Sequence, residues 1–367
     1  MSSENNSNYI INSSDKILVT GAGGFVGSKV VETLSLFGFK NIRCLIRSDN
    51  NILALKKITS GLNSTIEFIQ GNLLDRNTCK NAVKDVSIIY HLAAGVEKSF
   101  PGCFLNSVVT ARNLIDAALQ ETSLKRFVNI SSIAVYTNQN IKKGGILDEN
   151  CQVDTKFVER FEAYTYGKAK QDELVIEYGN KFKLPYVIVR PSVIFGPGKA
   201  KITDRIGTDT FGIFLHLGLG NTIPLTYLDN CAEAIVLAGL QPGIEGEVFN
   251  ITDDNLPTSR QFLRQYKKQV KKMLSIPVPY PLWYFFNTIW EKYSKWSGGQ
   301  LPPVFNKRSC EVYWKRVNYS NEKAKHLLNW QPKIPMDISL DNFFKYMKSI
   351  QVNFSLRLSL PKNASGW

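Results

Sequence analysis

The sequence predicts an α/β fold in which a doubly wound parallel sheet carries a smaller, mainly helical C-terminal portion. Short apolar, β-branched runs alternate with stretches of helical periodicity through the first half of the chain. After Pro191 this alternation gives way to fewer strands and longer loops, beginning with the glycine- and proline-rich segment SVIFGPGKAK. A chain of 367 residues is long enough for a large domain with a smaller portion appended to it.

The first predicted element is the strand KILVT at 16–20, which leads directly into a glycine turn. The segment that follows, FVGSKVVETLSLF, has apolar residues at helical spacing. Further strands are predicted at 42–46, 66–69, 86–91, 127–130 and 186–189, with helices near 76–83, 107–119 and 158–178. Late in the chain, DNCAEAIVLAGL predicts a helix with Asp229 as its N-cap, and 248–251 could return a strand to the sheet.

Composition and residue spacing exclude several classes of protein. Hydrophobic residues make up 44% of the chain and charged residues 21%, as in ordinary globular domains. The polar start MSSENNSNYIINSS lacks the features of a secretory signal, and the longest apolar stretch is about half of the roughly 20 residues that span a bilayer. The cysteines form no CxxC pair and the histidines form no HExxH motif, so we expect no metal site. The scattered cysteines are also typical of reduced thiols, so we expect a cytoplasmic location.

A glycine-rich turn, GAGGFVG, follows the first strand. It places Gly21, Gly24 and Gly27 between that strand and the first helix. Backbone without side chains can approach a pyrophosphate closely, and a helix N-terminus offers unpaired N–H groups and a favourable dipole. The pattern is typical of the Rossmann fold and predicts dinucleotide binding, the alternative being a purely structural tight turn.

The end of the second predicted strand bears on which dinucleotide is bound. Proteins that use NAD commonly place an Asp or Glu there, where it binds the ribose 2′-hydroxyl. This chain has no carboxylate between Ile42 and Ser48, and Arg47 could instead bind a 2′-phosphate through charge-assisted hydrogen bonds. The sequence therefore favours NADP(H) over NAD(H), with an ordinary surface charge as the alternative role for Arg47.

Two overlapping tyrosine–lysine pairs occur in the segment AYTYGKAKQDE. Tyr164 and Lys168 lie one helical turn apart and share a face, and Tyr166 and Lys170 repeat the spacing two residues later. A nearby ammonium stabilises phenolate, so we expect the lysine to lower the tyrosine pKa and to make the hydroxyl a proton donor and acceptor near neutral pH. Spacing alone does not distinguish the two pairs.

The order of motifs resembles that of the extended short-chain dehydrogenase/reductases, which include nucleotide-sugar epimerases, dihydroflavonol-type reductases and 3β-hydroxysteroid dehydrogenases. The matching segments are TGAGGFVG (20–27), GNLLD (71–75), HLAA (91–94), SSIAVY (131–136), YTYGK (164–168) and RPSVIFGPG (190–198). The segment NEKAKHLLNWQP is similar to the closing segment of the family, so the resemblance covers about residues 15 to 350.

The resemblance implies a role for each residue of the predicted site. Ser132 would bind the substrate carbonyl, Tyr164 would be the acid/base, and Lys168 would also bind the nicotinamide ribose. Asn72 and Leu73 would approach the adenine, and Leu92, Ala93 and Ala94 would line the nicotinamide side. The predicted cofactor-binding set is Gly21, Gly24, Phe25, Val26, Gly27, Arg47, Asn72, Leu73, Leu92, Ala93, Ala94, Tyr164, Lys168, Pro191 and Val193.

Two departures from the family pattern are also visible. The family often has Asn-Val before its central helix, whereas this chain has Ser107-Val108 with Asn106 one place earlier. Sugar-nucleotide dehydratases place Asp-Glu directly after the catalytic hydroxyl, but here Ser132 is followed by Ile133-Ala134, which argues against dehydration.

The C-terminal third is basic and aromatic. The net charge of +14 arises entirely from Leu256 onward, where 19 Lys and Arg oppose 5 Asp and Glu. The segment 280–296 carries eight aromatic residues and predicts a helix over 281–296, which could contact a membrane surface, cover an apolar substrate or pack into the core. We expect no nucleic-acid partner, a peripheral membrane contact at most, and a homodimer.

We expect three regions with interleaved boundaries: a disordered tail at 1–14, an NADP-binding Rossmann domain at 15–195, and a substrate-binding portion at 196–367, of which 229–251 returns to the Rossmann domain. The leading hypothesis is hydride transfer between NADP(H) and a carbonyl or alcohol of an apolar substrate that is polyketide-, lipid- or steroid-like. One alternative is a nucleotide-sugar epimerase with tightly bound NAD. The other is a non-catalytic NADP-binding regulator, against which the intact Ser-Tyr-Lys set argues.

Overall fold

The computed structural model describes residues 8–359 except 200, 202, 211, 299 and 302–304, and describes only the backbone of 352–359. Residues 1–7 of the predicted tail lie outside the described residues. The rest of that tail packs on the body, because Ile11 is buried and the Ile10 N–H donates a 3.1 Å hydrogen bond to the Leu240 carbonyl. Order therefore begins before residue 15.

Strands and helices alternate through most of the first half of the chain. The strands are β1 (Lys16–Thr20), β2 (Asn41–Ile46), β3 (Thr65–Gln70), β4 (Val86–His91), β5 (Arg126–Ile130), β6 (Ile146–Leu147), β7 (Tyr186–Pro191), β8 (Val193–Phe195), β9 (Gly207–Thr210), β10 (Ile213–His216), β11 (Leu225–Tyr227), β12 (Val248–Ile251), β13 (Ser275–Pro277) and β14 (Asn318–Tyr319). The α-helices are α1 (Phe25–Leu36), α2 (Asp49–Thr59), α3 (Arg76–Val83), α4 (Phe100–Phe104), α5 (Thr110–Ala118), α6 (Phe157–Arg160), α7 (Ala163–Phe182), α8 (Leu228–Leu240), α9 (Ser259–Gln269), α10 (Tyr280–Trp296), α11 (Lys307–Trp314), α12 (Glu322–Leu328) and α13 (Met336–Ser359). Five strands, β7 to β11, follow one another between α7 and α8.

The main sheet has the strand order β12-β7-β5-β4-β1-β2-β3, and every pairing in it is parallel. Helices cover both faces, with α1 and α8 in the core on one side and α3 and α5 in the core on the other. The predicted doubly wound α/β fold of the Rossmann type is thus confirmed. The chain reverses its direction of winding between β1 and β4, where the carboxyl ends of neighbouring strands open a crevice for ligands.

The later part of the chain returns to this sheet more than once. Strand β12 pairs with β7, and the Trp330 side chain is 1% exposed within the α1 and α8 core. Helix α8 begins at Leu228, so Asp229 lies in its first turn rather than at the N-cap. A separate core forms around α9 and α13.

Helix α10 is the predicted aromatic helix, and it is not a core helix. Only Trp283, Asn287 and Ser294 of its residues are buried. Its opposite face is exposed, with Phe285 62% exposed and Trp296 80% exposed. The interpretation of this segment as core is therefore wrong for most of its surface.

Candidate active site

The glycine turn after β1 is built for close approach of backbone. Gly21 has a φ of +69°, and a Cβ there would lie 2.9 Å from the Ala93 amide nitrogen. A Cβ at Gly27 would overlap the carbonyl oxygen of Gly21, so α1 can pack against the turn only without a side chain at that position. No side chain caps α1 at Gly24, which leaves first-turn N–H groups available to a phosphate.

One cavity of about 230 Å³ lies beside this turn, at the ends of β2 and β3. Its lining brings together the residues predicted for the adenosine end, Arg47, Asn72 and Leu73, with Gly21 and Gly24. Arg47 follows directly after β2 and is exposed. No Asp or Glu lines the part of this cavity that the structure describes.

A larger cavity of about 580 Å³ lies at the carboxyl ends of β5 and β7. Its lining includes the predicted catalytic residues Ser132, Tyr164 and Lys168. It also includes Gly21, Gly24, Phe25, Val26, Gly27, Leu92, Ala94, Pro191 and Val193 from the predicted cofactor set. Of these two cavities, Ala93 lines only the smaller one.

The two cavities share a wall. Gly21, Gly24, Leu92 and Ala94 line both of them. An elongated ligand that passed over the glycine turn would therefore have one end beside Arg47 and the other beside Tyr164. The predicted cofactor residues are brought together along one continuous path.

The register of α7 separates the two tyrosine–lysine pairs. Tyr164 lines the larger cavity, whereas Tyr166 lies in an aromatic cluster, with its ring centroid 5.4 Å from that of Phe100 and 6.4 Å from that of Phe157. Lys170 forms a surface ion pair with Glu173 at 2.6 Å. Of the two pairs, only Tyr164 with Lys168 faces the cavity.

Lys168 is 3% exposed, and its ammonium donates hydrogen bonds to the Ile130 carbonyl and to Gln171 Oε1 at 3.1 Å. Burial lowers the pKa of Lys168 to about 8, against the attraction of the Asp172 carboxylate. Burial also raises the pKa of Tyr164 to about 12, and the charge of Asp172 adds to the rise. The net shift of the Tyr164 pKa is therefore upward, opposite to the lowering expected from its spacing with Lys168.

Ser132 stands immediately before a short 3₁₀ turn, Ile133–Val135. Its Oγ accepts a 3.2 Å hydrogen bond from the Ala134 N–H. Because the hydroxyl oxygen is used as an acceptor, the O–H proton is left to donate into the cavity. This suits a group that binds a carbonyl oxygen.

Sequence reasoning missed a buried polar network behind the cavity. Asp172 accepts hydrogen bonds from Ser131 Oγ and Asn129 Nδ2, both at 2.8 Å, and from Arg190 Nη2 at 3.0 Å. Arg190 in turn donates to the Tyr136 hydroxyl at 2.8 Å. The network joins β5, α7 and β7 beneath the site. One signal was available, since Asp172 follows Lys168 by one helical turn.

A model of the NAD dependent epimerase/dehydratase family matches residues 17–252, which hold the glycine turn and all three predicted catalytic residues. This chain belongs to that family.

Relatives within the family have varied names. The chain is 29% identical over 262 residues to dTDP-D-glucose 4,6-dehydratase of Dictyostelium discoideum. That match covers 65% of this chain and 58% of the dehydratase, so this chain spans less than two thirds of the dehydratase's length. It is 25% identical over 345 residues to 2-alkyl-3-oxoalkanoate reductase of Stenotrophomonas maltophilia, covering 89% and 97%. The structure of UDP-glucuronic acid 4-epimerase from Bacillus cereus in complex with NAD shares the fold, with a TM-score of 0.67 and 22% identity over 91% and 99% of the two chains.

A further cavity of about 260 Å³ extends the site of this family member. Trp283 and Asn287 of α10 and Trp314 of α11 line it, together with Phe305. Asp204 and Tyr313 line both this cavity and the catalytic one, so the two spaces adjoin. Sequence reasoning missed these residues because they come from stretches far apart in the chain.

The described residues include no group of three or more His, Cys, Asp or Glu side chains arranged to hold a metal ion. None of their helices combines the length and the apolar character needed to cross a membrane.

His91 is buried beside Thr20 Oγ1, and burial lowers its pKa to about 3, as expected of a structural histidine.

Proposed function

We propose that this protein transfers hydride between NADP(H) and a carbonyl or alcohol of an apolar substrate. The observation that carries the proposal is the shared lining of one cavity by Ser132, Tyr164 and Lys168, directly beside the glycine turn. A hydroxyl donor, a phenol and an ammonium on one wall are the groups that carbonyl reduction requires.

The residues present fit a dinucleotide. The Cβ-free approach of Gly21 to Ala93 and the uncapped start of α1 make a cradle for a pyrophosphate. Arg47 supports a preference for NADP(H), because a guanidinium at the end of β2 can pair with a 2′-phosphate and no carboxylate lines that cavity among the described residues.

The chain's own residues would act in a defined order on the carbonyl. A nicotinamide held beside Tyr164 and Lys168 would supply the hydride for the carbonyl carbon. Ser132 donates a hydrogen bond to the carbonyl oxygen, and Tyr164 transfers its proton to that oxygen as negative charge develops. Lys168 would bind the ribose, and the Ile130 carbonyl and Gln171 Oε1 keep its ammonium in place. The raised pKa of Tyr164 keeps the phenol protonated near neutral pH, which is the form that can give a proton to the carbonyl oxygen.

An apolar substrate is supported by the cavity that adjoins the catalytic one. Its walls include the aromatic residues Trp283, Phe305 and Trp314, on which a hydrocarbon or ring system could pack, and the charged residues Arg160, Glu162 and Asp204. The 2-alkyl-3-oxoalkanoate reductase that matches 89% of the chain bears the name of a carbonyl reductase. We therefore propose a polyketide-, lipid- or steroid-like carbonyl compound as the substrate. The homodimer and the cytoplasmic location stay predictions.

The test is NADPH absorbance with a panel of acyl and aryl ketones, aldehydes, sterols and nucleotide sugars. We expect consumption of one NADPH per carbonyl reduced, with an apolar ketone or aldehyde preferred. NADPH should bind more tightly than NADH, and Arg47→Ala should remove the difference. Interconversion of nucleotide sugars without net NADPH consumption would overturn the proposal in favour of an epimerase, and equal affinities for both cofactors would overturn the role of Arg47.

A further inference from the structure

The outer face of α10 is a continuous apolar stripe. Its exposed residues are Leu282, Phe285, Phe286, Ile289, Tyr293 and Trp296, which are between 40% and 80% exposed. Each residue of an α-helix turns the chain by about 100°, so these six positions fall within an arc of about 100°. A surface helix normally presents polar residues to water, whereas this face of α10 presents apolar residues.

The same helix is fixed to the body by its other face. Trp283, Asn287 and Ser294 are buried, and the Trp283 ring makes edge-to-face contacts with Phe305 and Trp314, with centroid distances of 5.6 Å and 5.9 Å. By contrast, no ring contact involves Phe285 among the described residues, and it is 62% exposed. The buried face of α10 therefore anchors the helix and leaves the stripe at the surface.

The part of the chain that holds the stripe is strongly basic. Residues 256–300 contain eight Lys and Arg and one Asp or Glu. Lys268, Lys271 and Lys272 are exposed just before α10, and Lys292 is exposed at the edge of the stripe. Leu274 and Ile276 add two more exposed apolar side chains between the lysines and the helix.

We propose that α10 docks in the plane of an anionic phospholipid bilayer, with its apolar stripe among the acyl chains and the lysines on the headgroups. Apolar residues flanked by lysines are the features of helices that lie on a membrane without crossing it. Charge decides against a second copy as the occupant, because a two-fold contact would bring the same lysines together. Docking would place the cavity lined by Trp283 at the lipid surface, a consequence that rests on the proposed function.

The test is sedimentation of the full chain with phosphatidylcholine vesicles, with and without phosphatidylserine. We expect binding that requires phosphatidylserine and weakens with salt. The double variant Phe285→Ser, Ile289→Ser should lower the partition coefficient at least about tenfold, since each side chain loses most of its transfer into lipid. The matched control, Leu36→Ser with Leu53→Ser, also replaces two exposed apolar residues and should leave binding unchanged.

Charge reversal tests the electrostatic part separately. Lys271→Glu with Lys272→Glu should remove the preference for phosphatidylserine, whereas Lys142→Glu with Lys143→Glu should not. Melting temperature and NADPH binding should stay unchanged in all four variants, so failure of docking is distinguishable from failure of the proposed function. Absence of binding to anionic vesicles at low ionic strength would overturn the proposal. An equal loss of vesicle binding in the control variants would also overturn it. So would a stripe variant that dissociates a dimer and still binds vesicles.

Discussion

Tyr164 and Lys168 show how burial changes the chemistry that spacing suggests. Lys168 directs its ammonium to the Ile130 carbonyl and Gln171, and Asp172 lies one turn further along α7. Burial, to which the carboxylate of Asp172 adds, raises the pKa of the phenol and keeps it protonated. The side chain therefore holds the proton that it would donate, and Lys168, with its pKa lowered to about 8, titrates at a much lower pH than Tyr164.

The pH dependence follows from that difference. The pKa of Lys168 is lowered to about 8, so the ammonium is present below that pH and is lost as the pH rises through it. We expect kcat/KM for NADPH to be nearly constant below about pH 7, to be halved near pH 8 and to fall about tenfold per unit well above it, because this profile reports groups of the free enzyme. The titration of Tyr164 should cause no further change in kcat/KM over this pH range, because its pKa is raised to about 12. A profile that stays flat to pH 10 would contradict the assignment.

At the scale of elements, the glycine turn fixes where α1 begins and hence where a phosphate can bind. Gly27→Ala should force α1 away from Gly21, because the added Cβ overlaps a backbone oxygen that cannot move aside. We expect a loss of about 1–3 kcal/mol in the free energy of unfolding and at least a tenfold loss of NADPH affinity, measured by urea unfolding and fluorescence titration. Gly61→Ala is the control, since nothing lies within 4 Å of a Cβ there, and a similar loss in both variants would contradict the argument.

Elements with strong local signals were predictable from the sequence. The runs KILVT at 16–20 and VSIIYH at 86–91 are strands with the predicted bounds, because buried parallel strands are continuous apolar runs. The break between α6 and α7 was not predictable. It depends on Phe161 at a φ of +59° and on Arg160, which is buried and hydrogen-bonded to the Ala134 carbonyl. These are tertiary contacts with no local signal.

At the scale of the whole molecule, the C-terminal portion contributes residues to the core formed by α1 and α8. Trp330 is 1% exposed in the core of α1 and α8, and its indole N–H donates to the Asn230 carbonyl at 3.1 Å. Trp330→Ala should lower the free energy of unfolding by about 3–5 kcal/mol. Trp296→Ala, at a position 80% exposed, should change it by less than about 0.5 kcal/mol. Equal effects in denaturant unfolding would contradict a shared core.

The candidate site was predictable only where family motifs occur. Every residue predicted from the resemblance lines one of two cavities that share a wall. The substrate end was not predictable, because its lining joins residues as distant as Phe161 and Trp314. No periodicity or spacing connects such positions before the chain has folded.

The central claim is that Tyr164 gives the proton during NADPH-dependent reduction, and turnover of two matched variants tests it most directly. Tyr164→Phe should lower turnover by about 10² or more with NADPH affinity nearly unchanged, since it removes the donor and leaves the ring. Tyr166→Phe, which keeps its place among Phe100, Phe104 and Phe157, should have turnover close to that of the unmodified protein. Loss of turnover in Tyr166→Phe together with normal turnover in Tyr164→Phe would contradict the account.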